Sequence, residues 1–175
     1  MPSKQINYAI STNFRFNCSE IPFVSELAQD VTIPSVNLGQ AQITSPFVDY
    51  NQPGEKILYA EIDVGFVMDE NFDAYTEIYS WMERIAGVPG LSPVPVSQRR
   101  TLFADAEITI LDNTGNMIRR MIFKDAWPVS LGALEYDSTS SAAPLKSILT
   151  LDYTGMIILP FTKNLSGLAN IHYNH

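Results

Sequence analysis

The sequence has few of the residues on which disulfides, metal sites and membrane insertion depend. Its 175 residues include one cysteine, Cys18, and two histidines, His172 and His175. A single thiol cannot form a disulfide within the chain, and two histidines near its end are too few for a metal site on a fixed scaffold. Met1 to Asn13 has no apolar segment of the signal-peptide type, and no run approaches the roughly 20 apolar residues of a membrane helix. We therefore expect a soluble protein of a reducing compartment, the cytoplasm, without a membrane anchor.

Basic residues are also scarce. Lys and Arg number 11 against 19 Asp and Glu, which gives a net charge of −8. Because tight binding to phosphates requires basic patches, this balance argues against a nucleic-acid-binding protein. It leaves open a protein that handles nucleic acid without adhering to it. Hydrophobic residues make up 46% of the chain, which is enough for the core of one folded domain.

Motifs of catalysis are missing as well. The sequence has no Gly-rich phosphate loop, no nucleophile elbow and no zinc pattern. Two carboxylate pairs, Glu61/Asp63 and Asp105/Glu107, stand two residues apart on predicted strands, so each pair lies on one strand face. Such pairs can act as the acid and base of a glycosidase, but they are more common on wet strand faces. We predict that the protein is not an enzyme and uses no cofactor or metal.

One stretch has a helical period. Between Asn71 and Ile85, apolar residues recur every three or four positions and share one side of a helix. Asp69 or Asn71 would cap its start, and Gly87 and Pro89 would end it. A lone helix of this length is marginal in water, so its apolar side must pack on something else. The predicted stripe is Phe72, Tyr75, Ile78, Tyr79, Met82 and Ile85, and the predicted core includes Phe72, Ile78, Trp81, Met82 and Trp127.

The rest of the sequence is predicted as strands and connections, which makes the fold mainly β with one α-helix. Alternating patterns predict strands at 12–18, 30–44 (broken at Ile33-Pro34), 57–68, 102–111, 117–123 and 145–153. Pro46 to Glu55 is predicted as a loop with a Pro-Gly turn, Glu20 to Ala28 as a turn or weak helix, Val88 to Ser97 as an extended connector, and Trp127-Pro128 as a break.

These strands leave a packing problem. They have one apolar face, which a single helix covers only in part, and an opposite face of acids and threonines. A sheet that is wet on one side and has free edges must close on itself or continue into a neighbour. The pattern therefore indicates assembly.

The stretch Lys124 to Asp137, KDAWPVSLGALEYD, resembles the Lys-x-x-Trp-Pro-x-x-Φ-Gly-x-Leu-x-x-Asp signature of tail tube proteins from contractile-tailed bacteriophages, where Φ is apolar. Trp81 late in the helix, Leu151-Asp152-Tyr153 in the closing strand, and Thr32-Ile33-Pro34 before a long loop agree with the family layout in order and spacing. The resemblance covers roughly residues 12 to 154. It predicts one tail-tube-like domain over 1–154 and a C-terminal extension over 155–175.

The resemblance implies a β-sandwich or half-barrel subunit with a helix on its outer side. Six subunits would form a ring whose inner sheets join into one barrel, and rings would stack into a hollow tube. A contractile sheath would surround the tube, a baseplate initiator would start it, a tail terminator would end it, and DNA would pass through without specific binding. The protein would belong to the virion tail and assemble in the host cytoplasm.

The same resemblance, together with the strand pattern, assigns residues to surfaces. The acid-and-threonine face would line the lumen and repel phosphate, although its acids could instead face the sheath. Phe47 and Tyr50 would contact the next ring or plug the core. The predicted lumen residues are Glu61, Asp63, Asp105, Glu107, Thr109 and Asp152, and the predicted inter-ring residues are Phe47, Val48, Asp49 and Tyr50.

Three other functions stay open at this point. The same fold could serve as the tube protein or tube initiator of a related secretion or injection machine. A monomeric β-barrel that binds a small ligand would have an apolar cavity in place of an acidic face. A carboxylate hydrolase would depend on Asp105 or Glu107.

Overall fold

A computed structural model describes residues 11–87, 95–139 and 143–160 of the chain. These residues form nine strands, three α-helices and one 3-10 turn. The elements are β1 (Phe14–Cys18), α1 (Pro22–Leu27), β2 (Ala28–Thr32), β3 (Val36–Ile43), β4 (Tyr50–Tyr59), β5 (Ile62–Val67), α2 (Asp73–Ala86), α3 (Val96–Arg99), the 3-10 turn (Arg100–Leu102), β6 (Ala104–Leu111), β7 (Met117–Leu131), β8 (Lys146–Asp152) and β9 (Gly155–Pro160).

The fold is organised by β7, which has 15 residues and belongs to two antiparallel sheets. Its first part pairs with β6 on one side and β9 on the other, and its last part pairs with β8. The strand order is β1-β6-β7-β9 in the first sheet, hereafter sheet A, and β7-β8-β5-β2 in the second, hereafter sheet B. Asp125, with φ of 50°, stands where β7 passes from one sheet to the other.

The inner faces of the two sheets enclose one core. Alternate residues of β1, β5, β6 and β8 are buried there, as the period of two requires. Helix α2 adds Ala74, Ile78 and Trp81, and the Trp81 Nε1–H donates a hydrogen bond of 2.7 Å to the Leu102 carbonyl oxygen. The largest fully buried side chains are Trp81, Phe66, Phe123, Ile21, Ile62, Ile78, Ile108, Leu149 and Leu151.

The predicted core residues differ in their burial. Ile78 and Trp81 are fully buried, and Met82 packs against the core from its rim. Phe72 and Trp127 are only half-buried. Phe72 precedes helix α2 with a positive φ and stacks on Tyr136, with ring centroids 6.4 Å apart. Trp127 pairs in register with Asp152, whose side chain points away from the core, and stacks on Phe103.

The start of helix α2 follows the capping chemistry that the sequence predicts. The Asp69 carboxylate accepts hydrogen bonds from the backbone N–H groups of Asp73 at 3.0 Å, Asn71 at 3.2 Å and Ala74 at 3.2 Å. These bonds lower the pKa of Asp69, and the bond from Asp73 contributes most. Gly87 ends the helix with φ of 87° and donates to the Glu83 carbonyl oxygen.

The prediction of a single helix was wrong because two short helices also form. Helix α1 occupies most of the segment predicted as a turn or weak helix, and it buries Val24. Its position is fixed by α2, since the Glu77 carboxylate accepts the Phe23 backbone N–H at 3.1 Å. Helix α3 includes Val96, at the end of the segment predicted as an extended connector; residues 88–94 of that segment lie outside the described residues.

Three strand boundaries also differ from the predictions. Most of the segment predicted as a Pro-Gly loop belongs to β4, which pairs with β3, and Gly54 packs so closely on Gly39 that an added Cβ would lie 2.7 Å from the Gly39 oxygen. The predicted strand 57–68 is interrupted at Ala60 and Glu61. The chain does not break at Pro128, because a register shift between Pro128 and Ser130 accommodates the proline within β7. The predicted break at Ile33-Pro34 and the 145–153 strand are confirmed.

The burial of Trp81 yields a stability prediction. We expect Trp81→Ala to lower the free energy of unfolding by about 3–5 kcal/mol, because it empties a fully buried site and removes the bond to Leu102. Ser80→Ala, on the exposed side of the same helix, should change it by less than about 0.5 kcal/mol. Urea denaturation of dilute protein measures both. Similar losses in the two variants would contradict this packing.

Candidate assembly surfaces

Sheet A ends in β1 on one side and in β9 on the other. Within the described residues, β1 pairs only with β6, and β9 pairs only with β7. The edge at β9 is apolar, with the sequence GMIILP, and lacks the charged side chains that usually protect an exposed edge. Ile157, Ile158 and Leu159 are all more than a third exposed. This strand comprises the first residues of the predicted C-terminal extension.

The outer face of sheet A carries charges of both signs. Alternation along β1, β6 and β7 places the charged side chains on the face opposite the core. The register puts Thr109 between Arg15 on β1 and Arg120 on β7. We refer to it as the paired-charge face, defined by Arg15, Asp105, Glu107, Thr109, Arg120 and Lys124.

The acids on the paired-charge face are bound to its bases. The Glu107 carboxylate accepts hydrogen bonds from Nε and Nη2 of Arg120 and from the Thr109 hydroxyl, the last at 3.0 Å. These contacts, led by the bond from Arg120, lower the pKa of Glu107. Asp105 forms an ion pair with Lys124 and accepts the Asp125 backbone N–H at 3.2 Å. Thr109, whose hydroxyl donates to Glu107, is itself buried.

The outer face of sheet B has a different character. Asp63 on β5 lies beside Thr150 on β8, whose hydroxyl donates to the Asp63 carboxylate at 2.8 Å. Asp152 accepts the backbone N–H of Tyr153 at 2.8 Å. The ion pairs among the described residues are Glu107–Arg120, Asp105–Lys124 and Glu20–Arg84, so none joins Asp63 or Asp152 to a base.

The six residues predicted to line the lumen are therefore divided between two surfaces. Asp105, Glu107 and Thr109 share the outer face of sheet A. Asp63 and Asp152 share that of sheet B, and Glu61 is exposed just before β5. The two faces lie on either side of the common core. Strand alternation indicates which residues point outward, but it does not reveal which sheet a strand joins.

The β3–β4 hairpin is a third candidate surface. In the part of the chain that the structure describes, its strands pair only with each other, and a two-stranded hairpin on its own is marginal in water. Two cross-strand pairs, Val36–Tyr59 and Leu38–Ile57, place four exposed apolar side chains on one face. The sequence interpretation missed this face, although Val36/Leu38 and Ile57/Tyr59 each have the period of two that could have found it.

The predicted inter-ring residues lie at the tip of this hairpin. Phe47, Val48 and Asp49 belong to the connection between β3 and β4, and Tyr50 begins β4. Phe47 is 93% exposed and Tyr50 is half exposed, so neither plugs the core of its own chain. An exposed aromatic side chain of this kind is a common anchor of protein interfaces.

The described residues offer little to a metal or a nucleophilic mechanism. Within 11–87, 95–139 and 143–160, no three His, Cys, Asp or Glu side chains are grouped as metal ligands would be. Burial raises the pKa of the Cys18 thiol to about 11. His172 and His175 lie outside the described residues. Over the same ranges, none of the helices combines the length and apolarity needed to cross a membrane.

Comparisons with known proteins identify the fold. The sequence matches no protein-family model and none of the curated proteins. The structure resembles a chain in the anti-feeding prophage baseplate, with a TM-score of 0.64, 15% identity, and 89% of this chain and 98% of that chain covered. It also resembles a chain in the tube-terminating cap of the same prophage, with a TM-score of 0.66, 15% identity, and 91% and 96% covered.

A third similar chain comes from the extended sheath–tube complex of an extracellular contractile injection system, with a TM-score of 0.62, 16% identity, and 88% of this chain and 93% of that chain covered. Each of these chains is matched over almost its full length. At this level of identity, the likeness establishes a shared fold.

The Glu107–Arg120 contact yields a second prediction. Because the pKa of folded Glu107 lies below its ordinary value of 4.5, the contribution of the contact is fully present above that pH and is lost as the pH falls from there through the lowered pKa of the folded protein. In a double-mutant cycle of Glu107→Gln and Arg120→Gln, we expect a coupling energy of about 0.5–1 kcal/mol at neutral pH.

Urea denaturation at neutral pH and at about pH 3, below the ordinary carboxylate range, measures this coupling energy. It should be smaller at the lower pH. A coupling energy that is the same at both values would show that the side chains interact by packing and not as an ion pair.

Proposed function

We propose that this chain is the tube subunit of a contractile tail, six copies of which form a ring, and that stacked rings make a DNA-conducting channel. The observation that carries the proposal is that, among the residues the structure describes, sheet A ends in an unpaired strand on both sides. The edges differ, since one is β1 and the other is the apolar β9. A β9 edge of one copy can therefore pair with the β1 edge of the next, and such a contact closes into a ring when the rotation between copies is suitable.

The size of such a ring fits a conduit. Sheet A contributes four strands per copy, so six copies would form a barrel of about 24 strands. Barrels of 16–18 strands already leave an aqueous channel, and the diameter grows with strand number. The outer face of sheet A would then line the bore, because the opposite face of the same sheet is occupied by the core.

The hairpin would make the contact between stacked rings. The tip formed by Phe47, Val48, Asp49 and Tyr50 projects from the subunit with its apolar side chains uncovered. A neighbouring ring would bury these side chains and stabilise a hairpin whose strands, within the described residues, pair only with each other. Closure through sheet edges and stacking through the hairpin use different surfaces, so they can be disrupted separately.

The proposed partners follow from this position. They are further copies of the chain, a sheath protein around the tube, an initiator at the baseplate and a terminator at the other end. The shared fold with chains from a sheath–tube complex, a baseplate and a tube-terminating cap supports this set. The subunit would be structural and not an enzyme, and it would assemble in the host cytoplasm and reside in the virion tail.

A second candidate is the tube protein or tube initiator of a related injection or secretion machine. The specific observation in its favour is that the similar chains come from an anti-feeding prophage and an extracellular injection system. Association of the protein with DNA-filled particles, or with particles that carry protein cargo, separates the two candidates.

The edge contact can be tested with matched substitutions. Ile158 on β9 and Ile148 on the outer face of sheet B are 52% and 53% exposed. Purified wild-type protein should form rings or tubes in negative-stain electron micrographs. We expect Ile158→Lys to remain monomeric, because a charged side chain at a strand edge opposes pairing with a neighbour. Ile148→Lys, in the interior of its sheet, should still assemble.

Sedimentation velocity quantifies the assembled fraction, and circular dichroism checks that both variants are folded. Normal rings from Ile158→Lys would contradict closure through β9. A wild-type protein that stays monomeric over the accessible concentrations would contradict the proposed function itself and favour a small barrel.

The stacking contact yields a separate prediction. Phe47→Ala should leave rings intact but shorten the tubes, because it removes the most exposed aromatic anchor of the hairpin tip. Tyr136→Ala removes another exposed aromatic side chain, 72% exposed, away from the hairpin and is the control. Tube lengths measured in micrographs report the effect. Equal length distributions for wild type and Phe47→Ala would exclude this residue from the stacking contact.

A further inference from the structure

We propose that the paired-charge face is the surface over which the transported nucleic acid passes, and that its acids prevent adhesion by neutralising the bases beside them. This inference rests on the proposed function, since it requires sheet A to line a bore. It differs from an anionic lining that works by repulsion. The two mechanisms are separable, because neutralisation predicts adhesion only when acids are lost from this face, whereas repulsion predicts the same effect when acids are lost from the outer face of sheet B.

The contacts on this face show how the neutralisation is achieved. Both acids of the face are engaged by a base on the adjacent strand, Glu107 by Arg120 and Asp105 by Lys124. The bond from the buried Thr109 hydroxyl also holds the Glu107 carboxylate in place against Arg120. The Nε and Nη2 edge of the guanidinium is therefore engaged by the carboxylate and is not available for a bidentate contact with a phosphate.

The excess of bases on this face shows why its acids are needed. Its three bases, Arg15, Arg120 and Lys124, outnumber its two acids although the whole chain has a net charge of −8. Without the acids, this face would be a basic patch that binds phosphates. The acids of sheet B cannot serve this purpose, because they lie beyond the core and the channel is screened within about 8–10 Å at physiological salt.

The test compares two double variants of the full-length protein that change the net charge equally. Asp105→Asn/Glu107→Gln removes both acids from the paired-charge face, and Asp63→Asn/Asp152→Asn removes two from the outer face of sheet B. Binding of a short fluorescein-labelled DNA duplex is measured by anisotropy over a range of salt concentrations. The same preparations are imaged for rings.

We expect no measurable binding for the wild type or for the sheet B variant. The variant without Asp105 and Glu107 should bind the duplex, with a slope of log affinity against log salt near −3, because about 0.9 is contributed by each of three exposed bases. Adding Arg120→Gln to this variant should reduce the slope by about one. Circular dichroism and the urea midpoint establish that each variant is folded.

The remaining outcomes overturn the inference. Equal binding by the two double variants would show that net charge, and not this face, controls adhesion. Absence of binding in both folded variants would show that the bases are not available to phosphate, and strong binding by the wild type would show that pairing does not neutralise them. The proposed function is tested separately by imaging the wild type. If the wild type forms no rings, there is no bore, and this inference fails together with the proposed function.

Discussion

The whole structure depends on one bend that two paired strands make together. β7 turns at Asp125, whose φ is 50°, and β8 continues into β9 through Tyr153 and Thr154 at the same level. The bend is fixed from both sides, because the Thr154 N–H and hydroxyl donate to the Lys124 carbonyl oxygen at 2.9 and 3.1 Å, and the hydroxyl also contacts the Asp125 carboxylate. Because of it, one pair of strands belongs to both sheets, and the two inner faces enclose a single core.

The same bend creates the unpartnered surfaces. β5 pairs with β8 up to the bend. Beyond it the two strands separate: β8 continues as β9 in sheet A, whereas the chain that precedes β5 turns away at Ala60 and Glu61 and forms the hairpin. β9 therefore loses the neighbour that β8 has, and the hairpin loses the sheet that would support it. An exposed apolar edge and an exposed apolar hairpin have one structural cause. A fold that required only a stable monomer would be expected to cover one or both of them.

The sequence predicted the parts of this arrangement that depend on local pattern. Alternation located β6 and β8, and the stripe with Asp69 as a cap located α2. It did not predict the first part of β4, because Pro53-Gly54 is a strong turn signal whose strand conformation depends on the close approach of Gly39. It also treated Pro128 as a break, since the accommodating register shift is defined only by the partner strand β8. The division of the acids between two sheets was likewise inaccessible, because alternation specifies a face but not its sheet.

Electrostatics illustrates the same limit and explains why pairing would suit the proposed conduit. A net charge of −8 suggested acids that repel phosphate, yet the register of Thr109 with Arg120 brings the acids of sheet A onto bases. A wall of like charges that repels a polyanion would also concentrate counterions and bind any basic segment that enters the bore. The field of an ion pair falls off faster with distance than that of a single charge, and salt screens what is left. A wall of ion pairs therefore attracts cargo of either sign less than a wall of unpaired charges does, and losing one member of a pair creates a binding site for one sign only.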